Sequence, residues 1–234
     1  MANNHLISSV EDEHARLRSE IERMGGMAVS QLEAALDVIG RRDDRAAQRI
    51  VANDDAIDML EHQVSEDVMK LATGGPLASD LRAILSSLRI ASDIERIGDY
   101  ASNLAKRSIA LNSAPALPVP HVMGLDSLGR LAIQQLRNVM RAFSDLDAEA
   151  ALKVRDDDAA LDLQYTSIFR ELLTYMMEDP RNITSCTHLL FMAKNIERIG
   201  DHATNIAENI VYRVQGRQDL PPRAKMDTSS SMHD

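Results

Sequence analysis

The stretch SDIERIGDYASNLAKR at residues 92–107 returns, little changed, as KNIERIGDHATNIAEN at residues 194–209. Six consecutive residues, IERIGD, are identical in the two copies, and Glu197 lies 102 residues after Glu95. A repeat of about 100 residues is far longer than a solenoid unit, so it indicates a duplicated domain. Each copy also places a glutamate and an aspartate four residues apart, Glu95 with Asp99 and Glu197 with Asp201. We expect function to depend on these acidic pairs.

The apolar composition predicts an all-α fold. Aromatic residues make up 3% of the chain and tryptophan is absent. The remaining apolar residues are mainly Ala, Leu, Ile and Met, which favour helices, whereas sheets draw on β-branched and aromatic residues. The chain contains only 10 Gly and 7 Pro, too few for the many tight turns of a β-protein.

The charge balance excludes some partners and favours others. With 36 acidic against 26 basic residues, the formal charge is −10, so the surface repels phosphate backbones and nucleic-acid binding is not expected. Such a surface attracts cations or basic partner surfaces. With a single cysteine, the chain cannot form an intrachain disulfide, which suits a reducing compartment. We expect Cys186 to be a small packed residue. No signal peptide and no membrane span of 18 apolar residues are visible, so we expect a cytoplasmic protein without membrane insertion.

The chain divides at a proline-rich linker. Residues 112–124, NSAPALPVPHVMG, hold three prolines, which remove backbone donors and disfavour helix. Breaks at residues 73–76 and 178–180, and weaker ones near 42–43 and 145–147, divide each half into three. We therefore predict two tandem three-helix bundles from an internal duplication, with helices at about 6–41, 43–73, 77–111, 122–144, 147–178 and 182–216. The predicted organisation is a first repeat at 1–111, a linker at 112–124, a second repeat at 125–216 and a disordered tail at 217–234.

The acidic pairs continue as stripes along the third helix of each repeat. Residues at i, i+4 and i+8 share one helix face, so Asn103 extends the first stripe and Asn205 the second. Like charges four residues apart destabilise a helix by a few tenths of a kcal/mol, about 0.2–0.5, unless a counter-ion neutralises them. A single pair of this kind is most simply a solvated face. The same unfavourable pair in both halves calls for a ligand.

The preceding helix of each repeat carries a matching acidic pair. Asp54 and Asp58 are followed on the same face by His62, and Asp158 and Asp162 are followed by Thr166. In each antiparallel hairpin, the two acidic pairs stand about 20 residues from the turn and so reach the same level. Four carboxylates at one level suit a hard or borderline cation such as Mg, Ca, Mn or Fe, although a merely solvated face stays possible. The predicted metal ligands are Asp54, Asp58, Glu95, Asp99, Asp158, Asp162, Glu197 and Asp201, with His62, Asn103, His202 and Asn205 as possible additional ligands.

These motifs resemble the PhoU family of phosphate-signalling regulators. The resemblance rests on DDAID at 54–58, ERIGD at 95–99, DAALD at 158–162 and ERIGD at 197–201, and it covers about residues 6–216. It implies a cytosolic, non-enzymatic protein, often a homodimer, with a multinuclear metal cluster at those motifs. The metal it implies is iron, with Zn, Mn or Mg as alternatives. Thr166 and His202 depart from the first repeat, which has His62 and Tyr100, so equal metal affinity at the two sites is not implied.

The resemblance also implies partners. Members of the family are thought to link the ATPase subunit of a phosphate ABC transporter to the sensor histidine kinase of the phosphate response. They act as negative regulators of uptake and of the starvation response when phosphate is plentiful. Contact with these partners would place the protein at the inner face of the membrane.

Two rival interpretations stay open. A carboxylate-bridged metal protein acting as an oxidase or in iron handling needs two Glu-x-x-His motifs on facing helices. The sequence has one, Glu11 with His14, near a terminus where an exposed helix end is the simpler explanation. The other rival is a helical adaptor whose acidic face binds basic partners without metal. We assign no catalytic residue, because no nucleophile with a placed base is visible.

Overall fold

The computed structural model describes residues 2–73, 78–114, 119–217, 219–223 and 225–227. Its elements are helices, and the predicted all-α fold with two tandem repeats is confirmed. In the first repeat the helices are α1 (Ala2–Arg41), α2 (Asp44–Ala52), α3 (Asp55–Thr73) and α4 (Ala78–Asn112). In the second they are α5 (Val119–Asp145), α6 (Ala148–Glu178) and α7 (Ile183–Gln215), the last preceded by a single 3₁₀ turn at Pro180–Asn182.

The second helix of the first repeat is interrupted, which corrects the prediction of one helix over 43–73. The residue after α2, Asn53, has φ −96° and ψ 3°, and its backbone N–H donates to the carbonyls of Arg49 and Ile50 at 3.1 and 3.2 Å. Asn and Asp side chains compete with helical hydrogen bonds, so the sequence NDD at 53–55 ends one helix and begins the next. Asp54 therefore lies in the turn between α2 and α3, whereas its counterpart Asp158 lies inside α6.

The predicted linker is shorter in the structure, because α5 begins at Val119. Residues 115–118 lie outside the described part of the chain. Pro120 falls in the first turn of α5, where an N–H would have no helical partner, so proline is tolerated there. Only the few residues after Asn112 therefore separate the two repeats.

Matching helix starts divide each repeat at the same place. The Asp43 carboxylate accepts from the backbone N–H of Ala46 at 2.9 Å, and the Asp147 carboxylate accepts from Glu149 and Ala150 at 3.0 Å. A side chain of this kind satisfies amides that have no partner inside the helix. The residue before each cap, Arg42 or Leu146, adopts left-handed φ of 55° or 52°.

The two repeats pack with two-fold pseudosymmetry, α1 against α5 and α4 against α7. A Cβ added at Gly25 on α1 would lie 2.8 Å from Sδ of Met140 on α5. Reciprocally, a Cβ at Gly129 on α5 would lie 3.0 Å from Cγ of Leu36 on α1. The same glycine in each repeat thus allows close approach of the helix from the other repeat.

One large apolar core runs through both repeats. On α4, the apolar residues Ile90, Ile94, Ile97 and Leu104 recur at helical spacing and are fully buried. Cys186 is buried as well, and burial raises the pKa of its thiol. Each buried Ile or Leu side chain contributes about 1.5–3 kcal/mol relative to exposure. This core fixes the hairpins α3–α4 and α6–α7, which carry the acidic motifs.

Candidate metal centre

The first acidic cluster consists of Asp54, Asp58, Glu95 and Asp99, where α3 packs against α4. One carboxylate oxygen from each of Asp58, Glu95 and Asp99 lies within 4.8 Å of the other two. The three side chains are half-buried and lie at the same level of the hairpin. The structure therefore brings together three of the four residues that the sequence pairs there.

Asp54 lies at the edge of this cluster. Its Oδ1 accepts a hydrogen bond from Nε2 of Gln31 on α1 at 2.9 Å, and the same amide lies 3.4 Å from the Gly98 carbonyl. The negative charge of Asp54 contributes to raising the pKa of Asp58. Gln31 on α1 thus orients the fourth carboxylate, and the sequence did not indicate this role.

The electrostatics of the first cluster favour a cation. Burial, and then the charge of Asp99, raises the pKa of Glu95, while Arg96 partly offsets them. Burial also raises the pKa of Asp58, followed by Asp54 and Asp99. Among the described residues, Arg96 is the cation that ion-pairs with the cluster, with Nη1 3.0 Å from Asp99 Oδ2. Oxygen donors with uncompensated charge fit a hard metal ion.

The possible additional ligands of the first repeat lie beside the cluster. His62 is 83% exposed and its Nδ1 lies 3.3 Å from Oε2 of Glu61. Asn103 is half-buried one turn beyond Asp99 on α4. Neither residue belongs to the group of carboxylates within 4.8 Å, so their role as ligands stays a prediction.

The second acidic cluster consists of Asp158, Asp162, Glu197 and Asp201, where α6 packs against α7. Asp158, Asp162 and Glu197 expose only 2%, 2% and 3% of their surfaces. Gln135 on α5 donates to Asp158 Oδ1 at 2.8 Å, as Gln31 donates to Asp54. A Cβ at Gly200 would lie 2.9 Å from Asp158 Oδ1, so this glycine allows α6 to approach α7.

Cations of this chain already offset most of the negative charge of the second cluster. The Arg223 guanidinium bridges two helices, with Nη1 2.5 Å from Asp158 Oδ2 and Nη2 on Asp201. Lys194 Nζ lies 2.9 Å from Glu197 Oε1. Burial raises the pKa of Asp158 and of Glu197, and the hydrogen bonds from Gln135 and Lys194 oppose it. The two clusters therefore differ in exposure and in charge balance, although their motifs match.

Residues of the segment predicted to be a disordered tail, 217–234, supply Arg223 and further contacts with the second cluster. Lys225 Nζ lies 3.4 Å from Asp201 Oδ1, and the backbone N–H of Met226 donates to Asp162 Oδ2 at 2.9 Å. Residues 228–234 lie outside the described part of the chain, and disorder there stays a prediction. Polar composition predicted disorder, but it does not show that the basic residues meet carboxylates far away in sequence.

His202 and Asn205, the possible ligands of the second repeat, contact the first repeat, and their role as ligands stays a prediction. His202 Nδ1 lies 2.8 Å from Oδ1 of Asp93 on α4, and Asn205 Nδ2 donates to the same oxygen at 3.3 Å. The His202 ring also lies 5.7 Å from the Tyr100 ring, centroid to centroid. Both residues thus hold α7 against α4 in this structure.

Several residues of the clusters were missed by the sequence analysis. Gln31 and Gln135 could have been found, because they occupy equivalent positions in the two repeats. Lys194 is one turn before Glu197 and could have been read as its partner. Arg223 and Lys225 carried no signal, because they lie outside the repeat.

Comparison with known proteins agrees with the duplicated architecture. The PhoU domain family model matches residues 21–108 and again 125–210, one match in each repeat. The chain belongs to the PhoU family. A protein of Xylella fastidiosa named phosphate-specific transport system accessory protein PhoU homolog is 62% identical to it over 231 residues, 99% of this chain and 97% of that protein.

Solved structures of PhoU proteins share the fold. The crystal structure of PhoU from Pseudomonas aeruginosa is 35% identical, with a TM-score of 0.83, covering 88% of this chain and 99% of that one. The phosphate transport system regulatory protein PhoU from Streptococcus pneumoniae is 26% identical, also with a TM-score of 0.83, covering 90% and 100%. Within the described residues of this PhoU-family chain, no helix combines the length and apolar character of a membrane span.

Proposed function

We propose that this chain is an accessory, regulatory protein of a phosphate-specific transport system and that it acts by binding rather than by catalysis. The support is its family: a relative 62% identical to it is named an accessory protein of such a system. A structural neighbour at 26% identity is described as a phosphate transport system regulatory protein. The duplicated helical bundle with two acidic clusters suits a scaffold that binds partners and metal.

The proposal also includes two protein partners. The chain would bind the ATPase subunit of a phosphate ABC transporter and the sensor histidine kinase of the phosphate response. It would act as a negative regulator when phosphate is plentiful. It would be a cytoplasmic protein that reaches the inner face of the membrane through these partners, and it would work as a homodimer.

The observation that carries the metal-binding part is the first acidic cluster. Asp58, Glu95 and Asp99 would hold the ion, because each offers an oxygen within 4.8 Å of the others. Asp54 would complete the donor set, oriented by Gln31. The ion would supply positive charge that neutralises the cluster. Iron is the metal that the resemblance to the family implies, and Mn²⁺ is a redox-stable probe with the same preference for oxygen donors.

The partner proposal is tested by a tagged pull-down from native membranes at high and low phosphate, read by mass spectrometry. We expect to recover a phosphate-transporter ATPase or a sensor kinase, in a yield that depends on phosphate. Recovery of neither protein at either concentration would refute the signalling part.

The metal proposal is tested by metal analysis of the purified protein and by Mn²⁺ binding. The variant Glu95→Gln removes one charge from the first cluster, and Glu66→Gln removes one from an exposed position on α3. We expect the first variant to lose metal at the first cluster and the second to keep it, both with unchanged helicity. Equal metal content in both variants would show that the ion lies elsewhere.

An oxidase or iron-handling function is the rival from another class. It predicts consumption of oxygen or hydrogen peroxide with ferrous iron by the purified protein. We expect no turnover above that of free iron, because the described clusters offer no histidine pair on facing helices of the kind that di-iron enzymes use.

A further inference from the structure

A tail segment, defined by residues 219–223 and 225–227, lies across the second acidic cluster. Arg223 is its centre, with a side chain only 12% exposed that contacts Asp158 and Asp201. Its Nη1 also donates to Thr204 Oγ1 at 2.7 Å. Met226 adds a backbone N–H to Asp162. The tail segment therefore contacts three of the four carboxylates, from both helices of the hairpin.

The second repeat also holds the backbone of the tail segment. Leu220 packs against the apolar core. Arg155 on α6, itself 7% exposed, donates through Nη2 to the Pro221 carbonyl. Its Nε lies 2.8 Å from Oε1 of Glu208, which fixes the guanidinium. Lys194 Nζ lies 3.2 Å from Oδ2 of Asp227. The seat of the tail segment thus combines the buried Arg155 with the paired but more exposed side chains of Glu208 and Lys194.

The first repeat lacks the residues that make this seat. The positions equivalent to Arg155, Glu208 and Lys194 in the second repeat are Val51, Lys106 and Ser92 in the first. Val51 cannot donate to a backbone carbonyl, and Lys106 could not accept a hydrogen bond from an arginine as Glu208 does from Arg155. Three differences between the repeats therefore favour docking of the tail segment on the second cluster alone.

The contacts between the tail segment and the second cluster pair opposite charges. Arg223 and Lys225 bring two positive charges to a set of four carboxylates, and Lys194 adds a third from α7. The guanidinium lies between Asp158 and Asp201, the position from which a cation could bind oxygens of both helices. Glu197 Oε2 is buried and has no hydrogen-bond partner among the described residues. One acceptor in the cluster is thus left over while the tail segment is in place.

We propose that the tail segment is a tethered occupant of the second acidic cluster, in which Arg223 takes the place of a metal ion, so that docking and metal binding there exclude each other. The metal-binding half of this statement rests on the proposed function. The two clusters are then not equivalent. The first binds a cation directly, whereas the second binds one only after Arg223 is displaced.

Docking is tested first, without metal. Amide hydrogen exchange at Met226 is measured in the full-length protein with chelator, for the wild type, Arg223→Gln and the matched control Arg217→Gln. Arg217 is an exposed residue two positions before the start of the tail segment. We expect exchange at Met226 to rise at least tenfold in Arg223→Gln and to stay unchanged in the control. Equal exchange in all three proteins would overturn docking, whatever the outcome for metal.

Exclusion is tested with Mn²⁺ in a protein whose first cluster is silenced by Glu95→Gln. An occupant that docks nine times out of ten weakens the apparent affinity of a competitor about tenfold. We therefore expect Arg223→Gln to lower the Kd for Mn²⁺ at the second cluster at least tenfold, with Arg217→Gln unchanged. An unchanged Kd, or no Mn²⁺ binding in either protein, would overturn exclusion. Failure of the wild type to bind Mn²⁺ at the first cluster would instead refute the proposed function, while the exchange result would still decide docking.

Discussion

Glu95 shares the first cluster with two other carboxylates within 4.8 Å, so removal of its charge should have opposite effects with and without metal. Two unit charges at that separation repel by roughly 0.9 kcal/mol in water and about 3.5 kcal/mol at an effective dielectric constant of 20. The Arg96 Nε, 3.5 Å from Glu95 Oε2, offsets part of this repulsion. We expect Glu95→Gln to stabilise the metal-free protein by about 1 kcal/mol at pH 7, which is an increase in Tm of about 2–4 °C for a chain of this size.

Metal should reverse the order of stability. A ligand at 100 times its Kd stabilises the folded state by about 2.7 kcal/mol, which raises the Tm by about 5–11 °C at this chain length. The wild type should gain this increment on addition of Mn²⁺, and Glu95→Gln should gain much less. The wild type therefore melts below the variant in chelator and above it in Mn²⁺.

The assay is thermal unfolding followed by circular dichroism, in chelator and in Mn²⁺, with Glu66→Gln as the control. Glu66 is an exposed carboxylate on α3, so its loss should change neither curve by more than about 0.5 kcal/mol. A variant that melts below the wild type in chelator would refute the electrostatic reasoning, because it would make Glu95 a stabilising structural residue. Equal gains from Mn²⁺ in both proteins would remove the first cluster as the metal site.

Three further predictions concern stability. Burial by itself raises the pKa of Asp67, but hydrogen bonds from Lys70 and Gln63 and the charge of Arg16 outweigh it and lower the pKa below 3.8. Asp67→Asn should therefore lower the free energy of unfolding in urea by about 1.5–3 kcal/mol at pH 7. The difference between wild type and variant should shrink as the pH falls below 3.8 and through the lowered pKa of Asp67 in the folded state. Gly200→Ala should destabilise the protein by about 1–3 kcal/mol, because the new Cβ would lie 2.9 Å from Asp158 Oδ1 and 3.2 Å from Gln135 Oε1. At Gly98 the nearest atom to a new Cβ is Cδ1 of Ile57, the flexible end of that side chain, so Gly98→Ala should be close to neutral. Equal losses of stability in the two variants would contradict this. Leu146→Gly should stabilise by about 0.5 kcal/mol, since φ is 52° there, and a lower denaturation midpoint would count against it.

Much of the fold could be predicted because its signals are local or repeated. The apolar spacing that buries Ile90, Ile94 and Ile97 is visible in the sequence, and so are the capping residues Asp43 and Asp147. The common level of the carboxylates followed from equal distances to the hairpin turn. These features need only helix geometry and one antiparallel pairing.

The features that were not predicted depend on small local differences or on distant contacts. At Asn53, side-chain hydrogen bonding competes with helical hydrogen bonding and the helix ends. At the equivalent place in the second repeat the helix continues as α6. His202 looked like a ligand on its own helix, but the partner that it meets, Asp93, comes from the other repeat. Arg223 contacts Asp158 and Asp201, which lie 65 and 22 residues earlier in the chain. Composition does not indicate which distant residues pair in this way.

Whether a metal ion could displace the tail segment depends on the energies of the contacts that hold the segment in place. Solvent-exposed ion pairs contribute about 0–1 kcal/mol each, and a hydrogen bond to a charged group about 1.5–3 kcal/mol. Arg223 makes two contacts of the stronger kind, whereas the Lys225 side chain is 61% exposed. Ordering the tail segment costs conformational entropy, which opposes these gains. A metal ion at 100 times its Kd supplies roughly 2.7 kcal/mol, which is of the same order as the two Arg223 contacts. A duplicated motif can thus give two sites that fill at different cation concentrations, because only one of them has to release a tethered competitor.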